Sequence, residues 1–481
     1  MPHELLTSEQ MDAADRLTTG RGTAGFVLMQ RAGQGAAAII RELYKPQKTL
    51  VLCGPGNNGG DGYIIARLLK DAGFDVSVWS LVPDENLNGD ARKAFEFWGG
   101  KCDGVFENQP LIVDAVFGTG FNKELEDQIV SLFKQIEKSK SVVIAVDIPS
   151  GVCGSTGEAA PATLKATHTI TFARKKIGHC LVPGRDYCGR VHIVDIGVSQ
   201  NAVGEAGFAA FENHPDLWKA QFPHKKPDDH KYKHGHAVIV GATKMTGATR
   251  LAAEACARIG AGLTTVIAPQ EAGGVYRRTL PPHVIVEDRG NGLTGHLADD
   301  RRNAVLIGPG AGLEDVAALQ TDIIDVLKSQ KMIVLDADAI TAFQTDREKL
   351  YSMLNKRCIL TPHEGEFSRL FPGMTGIKTK RAQEAARRTG AIIVVKGPDT
   401  VIAAPDGRLV VNTNAPPWLA TAGTGDVLAG IVTGLAAQGM ESFDAACAAV
   451  WMHGEAARLF GEGLVASDIT SKIPEVLREI A

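Results

Sequence analysis

Two glycine-rich stretches carry acidic residues in settings suited to chemistry on an anion. Gly423-Thr424-Gly425-Asp426 precedes an apolar run that reads as a helix, so its backbone N–H groups would point outward, with the helix dipole behind them, and hold an anion. A carboxylate beside that anion can act as a base. Phosphoryl transfer to a hydroxyl needs this pairing, because positioning and charge neutralisation supply most of its catalysis. The alternative for Asp426 is an N-capping acid in a tight turn. The second stretch, from Cys53 to Gly62, holds five glycines together with Asn57, Asn58 and Asp61. Its glycines allow a backbone to approach a phosphate closely, and its asparagine amides both donate and accept.

Further candidates fall at the ends of expected strands. Asp114 lies just before the turn Gly118-Thr119-Gly120, and Asp147 ends the run at 141–146, ahead of Ile148-Pro149-Ser150. The carboxyl ends of a parallel sheet converge. Asn58, Asp114 and Ser150 would there make an all-oxygen set, suited to a hard cation such as potassium or magnesium rather than zinc. Each acid alone is equally readable as a cap. In the second half, 241–248, Gly308 to Gly312, Thr361 to Glu366 with His363, Lys396-Gly397-Pro398-Asp399-Thr400 and the Asp426 loop are all polar or glycine-rich. One composite cleft is the natural reading of five such loops at strand ends or helix starts. For His363 alone, a capping or satisfied core histidine is the other reading.

The elements that must hold these loops are legible in the apolar runs. Strands are expected at 49–53, 76–81, 111–117, 141–146, 168–172 and 191–196, with helices at 63–72 and 124–138. Several runs are continuously apolar, as strands covered on both faces by helices are. The alternation stops at 212–236, which is rich in His, Lys, Pro and Asp, and restarts with strands at 236–241, 263–268, 284–286, 304–307, 332–335, 358–360 and 392–395. Helices are expected at 247–259, 380–389, 426–437 and 445–460. The chain therefore reads as an α/β protein with domains at 1–212 and 236–481 and a solvated linker at 213–235. His224, His230, His234 and His236 match no zinc spacing and are flanked by lysines that would repel a cation.

Composition bounds the function. The 481 residues are too many for one core, and 44% hydrophobic with 22% charged residues describes an ordinary globular protein. A net charge of −4 gives no basic footprint for nucleic acid. No run approaches a membrane span, and the first residues lack the pattern of a signal peptide, so a cytoplasmic location is expected. The eight scattered cysteines, with no C-x-x-C, read as reduced thiols.

Leu5 to Met11, the Cys53–Gly62 loop and Val146 to Gly151 resemble the epimerase domains that act on hydrated NADH and NADPH. That resemblance implies a Rossmann-like three-layer αβα domain. Asn57, Asn58, Gly59, Gly60 and Asp61 would meet substrate, with Gly118, Thr119, Gly120, Phe121, Asn122, Lys123, Glu124 and Asp147. Potassium would be held by Asn58, Asp114 and Ser150, and Asp147 is the candidate acid or base.

Thr361 to Glu366, Lys396 to Val401 and Asn412 to Asp426 resemble the ribokinase-like superfamily and, within it, the dehydratases that repair hydrated NADH and NADPH using ADP or ATP. The two together look like the bifunctional NAD(P)H-hydrate repair family. Ala248, Gly312, His363 and Asp426 would hold the hydrated nicotinamide, and Lys396 to Thr400 with Gly425 the nucleotide. Gly423, Thr424 and Gly425 would form the anion hole, Asp426 would be the base, and magnesium would accompany the nucleotide. Ala415 to Leu419 departs from the Gly-Asn-Pro type expected before that hole. A homo-oligomer is expected, without nucleic-acid or membrane partners. The competing reading is a ribokinase-like small-molecule kinase fused to a dinucleotide-binding or scaffold domain.

Overall fold

A computed structural model describes residues 3–121 and 124–480, and the chain divides into two compact units, Met1–Phe211 and Glu212–Ala481. Asn122 and Lys123, expected to meet substrate, lie outside the described residues. No described helix is long and apolar enough to cross a membrane.

In the first unit β1 is Glu4–Leu5, β2 Lys48–Cys53, β3 Asp75–Ser80, β4 Leu111–Ala115, β5 Val142–Val146, β6 His168–Phe172, β7 Arg190–Val194 and β8 Ala210–Glu212. Six of these form a fully parallel sheet in the order β3-β2-β4-β5-β6-β7. β1 pairs antiparallel with Ala210 and Phe211 of β8. Every residue of β4 and all but the first of β2 are buried, which is why those strands read as unbroken apolar runs. The order reverses between β2 and β4, and the crevice at such a reversal, beyond the carboxyl ends, is where doubly wound sheets take ligands. The helix Asn57–Asp71 leaves β2 there. Its glycines are sterically required, since a Cβ on Gly59 would come within 1.9 Å of the Gly54 carbonyl oxygen, and one on Gly54 within 1.8 Å of that of Val116. Two helices ahead of the sheet, Ser8–Gly20 and Gly25–Leu43, were not foreseen. The first starts with a capping box, in which Gln10 N–H donates to Thr7 Oγ1 and Gln10 Oε1 accepts from Thr7 N–H.

In the second unit β9 is His236–Val240, β10 Leu263–Ala268, β11 Val284–Asp288, β12 Ala304–Ile307, β13 Met332–Leu335, β14 Cys358–Leu360, β15 Ile392–Val395, β16 Val401–Ala403 and β17 Leu409–Val411. They run β17-β16-β15-β14-β13-β12-β9-β10-β11, parallel from β11 to β15 and antiparallel across the last two pairs. Each of the seven expected strands is present. The β16–β17 hairpin was not among the expected strands. The order reverses between β9 and β12, so the loops after β9, β12, β13, β14 and β15 share one edge.

The segment at 213–235 is not uniformly solvated. Trp218 is fully buried, its Nε1 donates to Asn213 Oδ1, and the Asn213 amide donates in turn to Asn412 Oδ1 and the Cys447 carbonyl. The aromatic and amide groups inside a His- and Lys-rich stretch were the overlooked signal. His224, His230, His234 and His236 form no metal cluster among the described residues, and His236 sits inside β9 against Thr265 Oγ1 at 2.7 Å.

The helix Thr424–Ala437 packs backbone to backbone on the helix Thr246–Arg258. A Cβ on Gly430 would lie 2.2 Å from the Ala252 carbonyl oxygen, and one on Gly434 2.8 Å from that of Cys256. This approach sets where Asp426 stands. Gly430→Ala is expected to force the helices apart and cost at least about 1–3 kcal/mol, read as a lowered denaturant midpoint for the second unit.

Candidate functional site

Each unit gathers its polar residues at the reversal of its sheet. In the first unit they line a cavity of about 560 Å³ that takes in Met11, Asp12 and Asp15 from the first helix, Asn57, Asn58 and Asp61 after β2, Phe117 to Phe121 after β4, Asp147 after β5, and Lys176. Glu124 is described but does not line it. The Gly118 backbone marks how close the loops come, since a Cβ there would lie 3.2 Å from both Asn58 Oδ1 and Asp147 Oδ2.

Asp147 is held by more partners than its sequence position suggested. Its φ of +64° is left-handed, a costly conformation for a non-glycine residue, and its N–H donates to the Ile170 carbonyl at 2.7 Å. Lys176 Nζ donates to Oδ1 at 2.6 Å and Thr171 Oγ1 to the same oxygen at 2.9 Å, while Thr119 N–H donates to Oδ2 at 3.3 Å. His179 Nδ1 accepts from Lys176 N–H, which leaves its Nε2–H to donate to the Asp147 carbonyl. Burial would raise the Asp147 carboxyl, but the Lys176 ammonium and these hydrogen bonds outweigh it and hold the group at about 2. Burial beside Lys176 takes His179 down to about 4, in keeping with a neutral ring. The residue expected as the acid or base is therefore an anchored anion.

Lys176 is the functional residue that sequence reasoning missed. It is 1% exposed, yet it ends the run Arg174-Lys175-Lys176, which reads as a solvated patch. Nothing in the run marks Arg174 and Lys176 as buried and Lys175 between them as the more exposed.

Around the expected cation site, Ser150 Oγ donates to Asp114 Oδ1 at 2.6 Å, Ser150 N–H to Oδ2 at 2.9 Å, and Phe117 N–H to Ser150 Oγ at 2.8 Å. Burial raises the Asp114 carboxyl against these bonds. The Asn58 amide differs, for both its oxygen and its nitrogen are buried without a hydrogen-bond partner among the described residues. An orphaned amide oxygen in an all-oxygen set is what a hard monovalent cation would satisfy.

In the second unit, the helix carrying Asp426 begins at Gly423, whose φ is +88°, and its first-turn N–H groups face outward. Thr424 Oγ1 donates to the Leu419 and Thr421 carbonyls, and buried His453 donates from Nε2 to the Thr424 carbonyl at 2.9 Å. The stretch that departed from the expected type forms a short turn at Pro417–Leu419, with Trp418 Nε1 donating to the Ala457 carbonyl. It thus braces the anion loop.

Beside that loop stands Lys396, 3.5 Å from where a Gly425 Cβ would be. Its Nζ donates to Asp336 Oδ1 at 2.8 Å and lies 4.0 Å from Glu366 Oε2, and Thr361 Oγ1 also donates to Asp336 Oδ1. Burial would lower Lys396, but Asp336 and Glu366 hold it above its ordinary range. Burial chiefly, with help from Asp336, pushes Asp426 up to about 6 despite Lys396. Asp336 is 1% exposed and was not foreseen, being the first polar residue after an apolar run with no glycine to mark it.

His363 is a helix cap, accepting at Nδ1 from the N–H groups of Gly365 and Glu366, while its side chain remains 55% exposed. Gly312 N–H donates to Asp338 Oδ2, and a Cβ on Gly310 would meet Ala248 Cβ at 3.2 Å, which brings the Gly308–Gly312 loop against the helix holding Ala248. Lys378 Nζ donates to Asp399 Oδ1 at 2.8 Å beside Gly397, and Thr400 Oγ1 closes the turn onto the Gly397 carbonyl. A lysine at a helix start, unfavourable to the dipole, was the unused signal for Lys378.

Residues 236–477 match the NAD(P)H-hydrate dehydratase family, and residues 25–178 match the family described as YjeF-related protein N-terminus. The chain is similar to the bifunctional NAD(P)H-hydrate repair enzyme of Moorella thermoacetica, at 34% identity over 520 residues, covering 99% of this chain and 97% of the relative. The Escherichia coli enzyme of the same description is 34% identical over 488 residues, covering 97% and 92%. Among solved structures, a ribokinase-like superfamily protein of Enterococcus faecalis has a TM-score of 0.50 and 28% identity, covering 56% of this chain and 95% of its own.

Lys176→Met would leave the Asp147 carboxylate buried and unpaired, at an expected cost of about 3–5 kcal/mol. In the parent the lowered carboxyl contributes stability that is present above about pH 4 and lost as pH falls toward its folded value. In the variant burial prevails, so first-unit stability should instead fall as pH rises. Denaturant midpoints between about pH 2 and 8 check the change of sign.

Proposed function

From the membership of this chain in the family of bifunctional NAD(P)H-hydrate repair enzymes, we propose that the first unit interconverts the R and S forms of hydrated NADH and NADPH and the second dehydrates the S form using ADP or ATP. The observation that carries the second activity is Asp426, standing at a helix start beside Lys396 and displaced toward neutrality by burial. Hydroxide is a poor leaving group and phosphate a good one. Asp426 takes the proton of the ring hydroxyl as the phosphoryl group arrives, the Gly423-Thr424-Gly425 amides hold that group, and the Lys396 ammonium balances its charge. Phosphate then leaves with its C–O electron pair, a proton leaves the neighbouring ring carbon to the surrounding water, and the new C=C bond restores the dihydropyridine. Ala248, Gly312 and His363 hold the nicotinamide end, and Lys396 to Thr400 with Gly425 hold the nucleotide. Magnesium, carried on the nucleotide's own phosphates, supplies charge neutralisation.

In the first unit Asn57, Asn58 and Asp61 face the substrate across the cavity with Gly118 to Phe121, while Gly59 and Gly60, buried behind them, allow the loop to close. Asn58, whose amide oxygen has no partner among the described residues, would join Asp114 and Ser150 around potassium, whose charge would offset the carboxylates nearby. The paired activities make the whole pool of damaged cofactor repairable, since a dehydratase that accepts one stereoisomer needs the other converted.

Purified chain given both epimers of hydrated NADH, ADP or ATP, magnesium and potassium should restore the full NADH absorbance with release of inorganic phosphate. A stable phosphorylated product without NADH recovery would point instead to a small-molecule kinase. Asp426→Asn is expected to slow recovery by about 10²–10⁴-fold. Because the base must be ionised, the dehydration rate of the parent should climb as pH rises through about 6 and level off above it.

A further inference from the structure

The cavity of the first unit is lined by five carboxyl groups, Asp12, Asp15, Asp61, Asp90 and Asp147, and two cations, Arg16 and Lys176. They are not equivalent. Asp147 is committed to Lys176, Thr171 and Thr119 and stays an anion. Asp12 is exposed and lies near Arg16. Asp90 is paired with Lys93. Asp15 has one carboxyl oxygen buried without a partner among the described residues. Asp61, on the first turns of the helix that leaves β2, is only 8% exposed, and its carboxyl takes no hydrogen bond among the described residues. Among the described residues the cation acting on it is Lys176, and that ammonium is bonded to Asp147.

Resting on the epimerase reading of this unit, we propose that Asp61 is its catalytic acid–base, giving a proton to the ring hydroxyl as it leaves and recovering one from the water that returns, while Asp147 remains an anion throughout. Hydration of an enamine places the hydroxyl on the carbon next to the ring nitrogen, because the nitrogen lone pair stabilises a cation there. In the forward step the C–O bond breaks with its electron pair on oxygen, the Asp61 proton passes to that oxygen, and water departs. The nitrogen lone pair forms the C=N bond of an iminium ion. Water then adds to the opposite face, the C=N pair returns to nitrogen, and the Asp61 carboxylate takes the surplus proton. Nothing is oxidised or reduced, and the enzyme ends as it began.

The electrostatics agree with this division. Burial first, then the charges of Asp147 and Asp15, hold the Asp61 carboxyl well above its ordinary range, so it carries a proton that Asp147 cannot. Asp147, next to the developing cation, stabilises it. Two carboxyl groups in one cavity, pushed apart by their surroundings, divide the acid and the anion roles between them. Lys176 is a positioning residue here, acting on the substrate only through Asp147.

The test uses the intact chain and an equilibrated mixture of the two epimers with ADP, magnesium and potassium. Recovery of NADH should show a fast phase, the S form consumed by the second unit, and a slower phase limited by epimerisation. In Asp61→Asn the fast phase should persist while the slow phase falls by about 100-fold or more, and Asp61→Glu should restore part of it. The pH profile separates chemistry from shape. The slow-phase rate of the parent should fall as pH rises and the acid loses its proton, and that limb should vanish in Asp61→Asn. A slow phase within about threefold of the parent, or a reduced one that keeps the same alkaline limb, would overturn the assignment, since general acid catalysis is worth more than that. If the parent's slow phase is no faster than in buffer alone, the epimerase reading falls together with it.

Discussion

Each unit depends on one buried ammonium–carboxylate pair at the carboxyl edge of its sheet, Lys176 with Asp147 in the first and Lys396 with Asp336 in the second. Burying either charge alone would be prohibitive, so each exists because the other stands within hydrogen-bond reach. The pair also sets the electrostatics of its surroundings. Once its cation is committed, neighbouring carboxyl groups face burial with little compensation, and they shift toward neutrality. Asp61 stands in this relation to the first pair, and Asp426 to the second.

The two units reach this condition through the same topology. A parallel sheet delivers strand ends to one edge, and the reversal of strand order opens a gap there that no crossover helix fills. Glycines then allow the loops to close in. Gly59 against the Gly54 carbonyl, and Gly308, at φ +121°, against the Asp336 carbonyl, are contacts no side chain would permit. The glycine content of the loops reports this crowding as much as it reports a ligand.

Legibility from sequence followed the range of each interaction. Strands buried on both faces were evident because burial of a whole strand imprints a run of apolar letters, as in β9 and β12. Glycine-rich loops at their ends were evident because local backbone geometry demands the residue. Asp147 and Asp426 stood out by position. Their partners did not: Lys176 sits 29 residues from Asp147, and Asp336 sits 60 residues from Lys396, so each pair exists only once the sheet has formed. The same holds for ionisation. Asp147 and Asp61 are the same residue type at a strand end and a helix start, and the ammonium and hydrogen bonds that reach the first but leave the second to burial shift their carboxyl groups in opposite directions. His363 was ambiguous for a different reason, since a residue that caps a helix with one ring nitrogen still presents the other edge outward.

The left-handed backbone at Asp147 places conformational energy on the wall of the first unit's cavity. The side chain is thereby turned to Lys176 while the carbonyl is turned to His179, so one peptide is clamped from two sides. A clamp of this kind works like a sprung latch. As long as both grips hold, the carboxylate cannot swing to follow a moving substrate. Should either be released, the chain has a downhill path back to an extended conformation that carries the carboxylate out of register. The rigidity of this cavity and its vulnerability to single substitutions thus have one source, and tolerance to mutation here should track the integrity of the latch rather than the size of the residue replaced.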